Sequence, residues 1–383
     1  MPVTTTGVQY SGIWNLSSQA SAKALGTWPA AYNTFNLYAW GANAAGQLGI
    51  GSTVAKSSPN QVGAELWAVI ASGSVNQNYA IKPNGTLWSW GRNIEGQLGL
   101  NSATYYYSSP KQVGSLTTWA KITAASENAA AIKTDGTLWV WGKGEYGKLG
   151  LGNTTNYSSP KQVGALTTWA EIKNGTAFSV AIKTDGTLWS WGQNQNGQLG
   201  LGNITYYSSP KQVGALTTWY KITGASSTAV GIKTDGTMWA WGNSAQGQSG
   251  LGNVTSYSSP KQIGALTTWI KVSSGANTTL AIKDNGTLWS WGYNNAGQLG
   301  VGDITNRSSP TQIGALTTWL TISAGYAGFA IKTDGTLWSW GNNTGGRLGI
   351  GNITNYSSPK QVGALTTWLV IAANSSPLGG TSA

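Results

Sequence analysis

Cysteine and histidine are both absent from the 383 residues. Without cysteine there is no disulfide, no thiolate nucleophile and no cysteine-held metal site. Without histidine the commonest general base and the commonest metal ligand are gone, so catalysis would have to rest on Asp, Glu, Lys, Tyr, Ser or Thr. Carboxylates are scarce too, 11 against 22 Lys and Arg, which gives a formal charge of +11. No apolar run is long enough to enter a membrane. The opening stretch MPVTTTGVQYSGIWNLSS has neither the basic region nor the apolar core of a secretory signal. The expectation is a soluble chain made in the cytoplasm, long enough to bury a sizeable core.

A basic balance raises the question of nucleic acid, because Lys and Arg placed against phosphates give sequence-independent affinity. The distribution argues against a specific nucleic-acid partner. Lys82, Lys133, Lys183, Lys233, Lys283 and Lys332 follow an isoleucine, and Lys111, Lys161, Lys211, Lys261 and Lys360 follow Ser-Ser-Pro. Half of the positive charge is therefore copied with a repeat and dispersed around the molecule.

That repeat dominates the chain. Trp-Gly pairs place tryptophans at Trp40, Trp90, Trp141, Trp191, Trp241, Trp291 and Trp340, spaced by 50, 51, 50, 50, 50 and 49 residues. Seven units with a period near 50 signal a propeller, a solenoid or an array. In the unit from Ser158 to Gly202, four short segments read as strands: Pro160 to Gly164, Trp169 to Lys173, Ser179 to Lys183 and Thr187 to Trp191. No stretch of the repeats carries helical periodicity. Thr-Asp-Gly between the last two is a tight turn, with Gly supplying positive φ and Asp bonding its own backbone. In Leu188-Trp189-Ser190-Trp191 the period of two puts both indoles on one face. With Trp119, Trp169, Trp219, Trp269, Trp319 and Trp368, about three indoles per unit need cover, each worth roughly 5 kcal/mol when some 200 Å² is buried.

A single four-stranded sheet with two apolar faces cannot supply that cover. The fold expected is all-β: a seven-bladed propeller of four-stranded antiparallel blades. The glycine-rich run Gly197 to Gly202 is read as a sharp connection between blades. The chain ends complement each other, since Trp368 to Ala373 matches one strand of the unit and Asn36 to Gly41 another. One blade is expected to draw its outer strands from the N-terminal side and an inner strand from the C-terminal side. The organisation read is a lead-in at 1–35, the propeller at 36–373 and a tail at 374–383.

The hairpin Ala181-Ile182-Lys183-Thr184-Asp185-Gly186 through Trp191-Gly192, followed by Gly197-Gln198-Leu199-Gly200-Leu201-Gly202, resembles the regulator of chromosome condensation repeat, and the resemblance recurs from about Asn36 to Ala373. It implies a seven-bladed propeller. The eukaryotic founder of that family is a nucleotide-exchange factor for a small GTPase and binds chromatin, using a projecting wedge, acidic and histidine side chains and a basic tail. The even spacing here leaves no room for a wedge, histidine is missing and the first 36 residues hold only Lys23. The stretch Ser11-Gly12-Ile13-Trp14-Asn15-Leu16 to Gly26-Thr27-Trp28-Pro29 resembles a lead-in of tailed-phage structural proteins. Between its ends, 17–25 reads as a short helix capped by Ser17 and ended by Gly26.

No catalytic residue, cofactor or metal site is expected. Asp135, Asp185, Asp235, Asp284 and Asp334 are read as turn formers rather than calcium ligands, there being no D-x-D-x-D-G spacing. Glu65, Glu95, Glu127, Glu145, Glu171 and Asp303 are scattered, so no acid/base pair can be argued. The candidate binding positions are those that vary while the frame repeats: Arg92, Asn93 and Glu95; Lys143, Glu145 and Tyr146; Gln193, Asn194 and Gln195; Tyr293 and Asn294; and Tyr105, Tyr106, Tyr206 and Arg307. Amides and tyrosines on rigid loops suit a protein or a surface glycan. Drift at unconstrained surface positions gives the same pattern. The function expected is a non-enzymatic binding or structural propeller of a phage virion, tail-associated and made in the host cytoplasm. The alternatives are a cytoplasmic bacterial interaction scaffold and a guanine-nucleotide exchange factor.

Overall fold

A computed structural model describes residues 34–102, 104–373 and 376–382. The helix expected over 17–25 and the lead-in motif around it lie outside the described residues.

The third repeat shows why the chain forms blades. Its strands are Trp169–Asn174, Phe178–Lys183, Leu188–Gly192 and Tyr207–Gln212, hydrogen-bonded in that order from the central axis outward. The hairpin joining the second and third strands pairs Ile182 with Leu188 and Phe178 with Gly192. The Ser-Ser-Pro-Lys strand starts three residues earlier than the sequence suggests and completes the preceding blade, so Tyr157–Gln162 pairs with Leu138–Gly142. The blades are thus out of phase with the repeat as written.

Both faces of each sheet are apolar, and each face packs on a different neighbour. Trp169 and Trp191 join Ile132 and Leu138 of the blade before. Phe178, Ile182 and Leu188 join Trp219 and Trp241 of the blade after. The same junction recurs between every two neighbours, so the core is a ring of inter-blade layers.

We number the blades from 1 to 7 by their innermost strands, Val69–Ser72, Trp119–Ala124, Trp169–Asn174, Trp219–Ala225, Trp269–Gly275, Trp319–Ala324 and Trp368–Ala372. Blade 7 closes the wheel, in the order Lys56–Trp67, Phe35–Gly41, Leu378–Ser382, Trp368–Ala372. Phe35 pairs with Ser382 and Ala39 with Leu378. The C-terminal side therefore gives two inner strands rather than one, and Leu378–Ser382 is a strand where the sequence reads as tail. Its glycines fit aromatic neighbours: a Cβ on Gly379 would lie 2.5 Å from the Trp368 ring, and one on Gly380 2.4 Å from the Phe35 ring.

The outermost strands are free sheet edges. Each carries the proline of Ser-Ser-Pro, which cannot donate to a further strand, and five carry the following lysine. Part of the positive charge is thereby accounted for as protection against edge-to-edge pairing. The Gly197 to Gly202 run lies within blade 3, between its third and outermost strands. Blade-to-blade links are instead the Val-Gly-Ala-Leu-Thr-Thr segments, such as 213–218.

Candidate binding surface

Two faces result from this topology. The hairpin face carries the Thr-Asp-Gly turns and the blade links, brought together where Thr184 N donates to Thr168 O at 2.8 Å and Trp169 N to Gly136 O at 3.1 Å. The opposite, loop face carries the segments after Trp-Gly.

On the hairpin face, each turn is a short chain of hydrogen bonds. Asp185 Oδ1 accepts from Thr187 N at 2.9 Å and Thr187 Oγ1 at 2.7 Å, and that hydroxyl accepts from Trp189 Nε1 at 2.9 Å. The hydroxyl of Thr187 holds the Asp185 carboxyl below the usual carboxylate range, and the same holds at Asp135, Asp235 and Asp334. Asp284 does not play this part: in blade 5 the turn former is its neighbour Asn285, bonded to Thr287 in the same way. Lys183 Nζ sits 3.7 Å from the Trp189 ring centroid and 5.2 Å from that of Trp169. All six lysines of this position lie so, between two indoles. Burial pulls the Lys133, Lys183, Lys233 and Lys283 ammonium groups down from their ordinary values.

Across each junction the second tryptophan of the Trp-x-Trp-Gly motif, or its counterpart Trp40, is a latch. Trp191 Nε1 donates to Lys148 O at 3.0 Å and Trp241 Nε1 to Gln198 O at 3.0 Å. Trp40, Trp90, Trp141, Trp291 and Trp340 do the same with the loop of the preceding blade. The glycine two residues beyond the acceptor must be bare, because a Cβ on Gly200 would lie 2.9 Å from Trp241, at a φ of +72°. These loops are rigid, and they present the loop-face candidates.

The candidates divide. Asn93, Asn194 and Asn294 are fully buried and staple their own loops: Asn194 Oδ1 accepts from Leu199 N at 2.9 Å while its Nδ2 donates to Asn203 O and Thr205 O at 3.0 Å. Equivalent bonds hold Asn93 and Asn294, so these three are structural rather than ligand-facing. Arg307 is spent on the Asp303 carboxylate, at 2.5 Å. Lys143 bridges Glu145 at 3.0 Å and Glu127 at 3.1 Å, whose hydrogen bonds hold the ammonium well above its ordinary range and draw the Glu145 carboxyl down. Arg92 ends the third strand of blade 1 opposite Tyr106, and Gln193 and Tyr293 are half-buried at the same position.

Others meet across blade joints. Glu95 accepts from Asn156 at 2.9 Å, and the rings of Tyr146 and Tyr206 meet edge-on at 5.8 Å. Tyr206 also donates to Gln195 Oε1 at 3.2 Å, and Tyr105 and Tyr106 meet at 5.8 Å. A shallow groove of about 290 Å³ runs between Ile94, Glu95, Asn101 and Asn156. Part of the variation read as recognition is therefore contact between neighbouring blades.

Sequence reasoning missed the exposed apolar side chains. Leu66, Leu116, Leu166, Leu216, Leu266, Leu316 and Leu365 ring the hairpin face, and Val54, Ile204, Val254, Ile304 and Ile353 ring the loop face. Their signal was a bulky aliphatic residue inside a link or loop that is otherwise Gly, Ala, Thr and Asn. The axis holds a channel of about 350 Å³ lined by small and polar side chains together with a β-branched aliphatic residue from most of the innermost strands, such as Ile122 and Ile222, with Lys173 the one charged group among the described lining residues. Among the described residues no three Asp or Glu come together as metal ligands. The arrangement is one of hydrogen-bonded turns on one face and stapled loops on the other.

A wheel of seven four-stranded blades latched by repeated Trp-Gly and Gly-Gln-Leu-Gly segments defines the class. A model of the regulator of chromosome condensation (RCC1) repeat matches residues 36–74, 84–132, 135–182, 185–230, 235–282, 285–328 and 334–374. The chain belongs to the RCC1 repeat family. No curated protein matches. Among solved structures, human WBSCR16 is 19% identical with a TM-score of 0.82, covering 91% of this chain and 99% of its own. Prp20p of Saccharomyces cerevisiae, described with its binding properties to Gsp1p and histones, is 17% identical with a TM-score of 0.81, covering 91% of this chain and 92% of its own. Yeast RCC1 (Prp20) bound to Kap60 is 16% identical with a TM-score of 0.83, covering 100% of this chain and 97% of that structure's. At these identities the likeness is one of fold.

Proposed function

We propose that this chain is a non-enzymatic protein-binding platform. The observation that carries the reading is the repeated display of exposed aliphatic side chains on both faces of a frame whose own core is complete. Bulky apolar side chains repeated at the same place in successive blades offer a protein partner a regular row of anchors. Binding of Gsp1p and histones by a propeller of the same family is in keeping with it. A photo-crosslinking amino acid at Leu216 on one face and at Ile204 on the other, in the cells that produce the chain, tests it. Discrete crosslinked proteins are expected from at least one position. Retention on envelope polysaccharide without any crosslinked protein would overturn the reading in favour of a glycan ligand. The narrower proposal, a tail-associated virion component, rests on the lead-in motif, and detection of the chain in purified particles decides it.

A further inference from the structure

The innermost strands break the sevenfold symmetry. In blades 2 to 7 the residue after the first tryptophan of the innermost strand falls at a register shift, the extra residue of a β-bulge. A bulge leaves that residue unpaired and re-aims its side chain. In blades 1, 2 and 3 the position holds Ala68, Ala120 and Ala170, all half-buried. In blades 4, 5, 6 and 7 it holds Tyr220, Ile270, Leu320 and Leu369, at 54, 42, 48 and 37% exposure. Four consecutive blades thus carry a crescent of bulky apolar groups around one side of the channel mouth, inside the leucine ring. Side chains of roughly 200 Å² apiece at these exposures present on the order of 350 Å², the size of the patches that are functional on monomeric proteins.

Charge at the mouth is one-sided. Two residues beyond the tryptophan the innermost strands carry Lys121, Lys221 and Lys271 against a single carboxylate, Glu171, while Lys173 lies further along and lines the channel. Lys221 and Lys271 directly follow two members of the crescent. The Lys271 ammonium hydrogen-bonds the Leu320 carbonyl, and Lys221 lies 4.7 Å from the Tyr220 ring centroid, so both cations are held beside the apolar surface. The hairpin aspartates stand outside this zone, on the turns that join the second and third strands.

We infer that the crescent is the docking site for an acidic protein segment bearing bulky apolar side chains, its carboxylates over Lys221 and Lys271. This rests on the protein-binding reading and names its face and its partner's chemistry. Apolar burial supplies the affinity, and the lysines select against basic segments and speed encounter.

The test is fluorescence anisotropy of the full chain with three 12-residue labelled peptides: alternating Glu and Leu, alternating Lys and Leu, and alternating Glu and Ser. The Glu/Leu peptide is expected to bind at least tenfold more tightly than either control. Tyr220→Ala/Ile270→Ala/Leu320→Ala/Leu369→Ala, which installs the residue that blades 1 to 3 already carry, should weaken it tenfold or more with an unchanged melting temperature. Lys221→Gln/Lys271→Gln should weaken it several-fold and flatten its salt dependence. Unchanged affinity in the four-alanine chain, or equal binding of the Lys/Leu peptide, would overturn the inference. So would a dimer in sedimentation that the four-alanine chain loses, because the occupant would then be a second copy. Crosslinks from Ile204 that persist while the peptide fails would remove this site and leave the platform standing.

Discussion

Trp40 and Arg347 stand 307 positions apart in the chain, and the Trp40 indole donates a 2.8 Å hydrogen bond to the Arg347 carbonyl. The latch that joins blade 3 to blade 4 joins blade 6 to blade 7 as well. The blade shared by the two ends is built like the others.

Two kinds of buried tryptophan should respond differently to loss of the indole nitrogen. Trp241→Phe leaves the Gln198 carbonyl without its donor inside the core, whereas the Trp219 N–H has no hydrogen-bond acceptor to lose. Chemical unfolding should show Trp241→Phe less stable than Trp219→Phe by about 1–3 kcal/mol. Equal losses would contradict the latch.

Glycines with the same backbone conformation should also separate. Gly200 has a φ of +72° with its Cβ position 2.9 Å from Trp241, while Gly214 has a φ of +62° with nothing within 4 Å. Gly214→Ala should cost only the left-handed backbone, about 1–2 kcal/mol. Gly200→Ala should cost a further 1–3 kcal/mol by pushing on the indole. The two unfolding midpoints measure the difference.

Tyr146 and Tyr206 should be coupled. A double-mutant cycle to alanine is expected to give about 0.5–1.5 kcal/mol of interaction for an edge-to-face pair. Zero coupling would return both residues to the list of free recognition positions.

The aspartate turns give an acid limb. The folded carboxyl of Asp135, Asp185, Asp235 or Asp334 lies below its unfolded value, held there first by the threonine hydroxyl. The stability it contributes is therefore present above the unfolded pKa of about 4 and is lost as pH falls through the folded one. Asn84 and Asn285 make the same bonds without a charge. Replacing the four aspartates by asparagine should keep the fold and shrink the fall in melting temperature between neutral pH and pH 3. An unchanged fall would show that these carboxyls do not carry the acid sensitivity.

The wheel could be read from spacing because seven Trp-Gly hairpins at an even period leave few ways to bury that many indoles. Leu378–Ser382 could not, since Leu-Gly-Gly-Thr-Ser has the composition of a linker until Phe35 and Trp368 are seen filling the space above its glycines. The phase of the blades was hidden for a similar reason: Trp189 pairs with Gln212 across a long loop, and nothing local to Ser-Ser-Pro says which sheet it joins. Among the candidate residues, position in a variable loop was legible, but burial was not. Asn194 and Gln195 are neighbours in sequence, yet one is a buried staple and the other is exposed. The pairing of Tyr146 with Tyr206 depends on a joint between blades that sequence alone does not align.

Hydrogen exchange at the shared blade tests the closed wheel most directly. Ring closure predicts that the paired amides among residues 36–39 and 378–381 exchange as slowly as those of 179–182, at the centre of blade 3. Exchange of residues 378–381 at the rate of an unprotected chain would mean that the ends are not joined, and the rigid frame on which the binding faces depend would be lost.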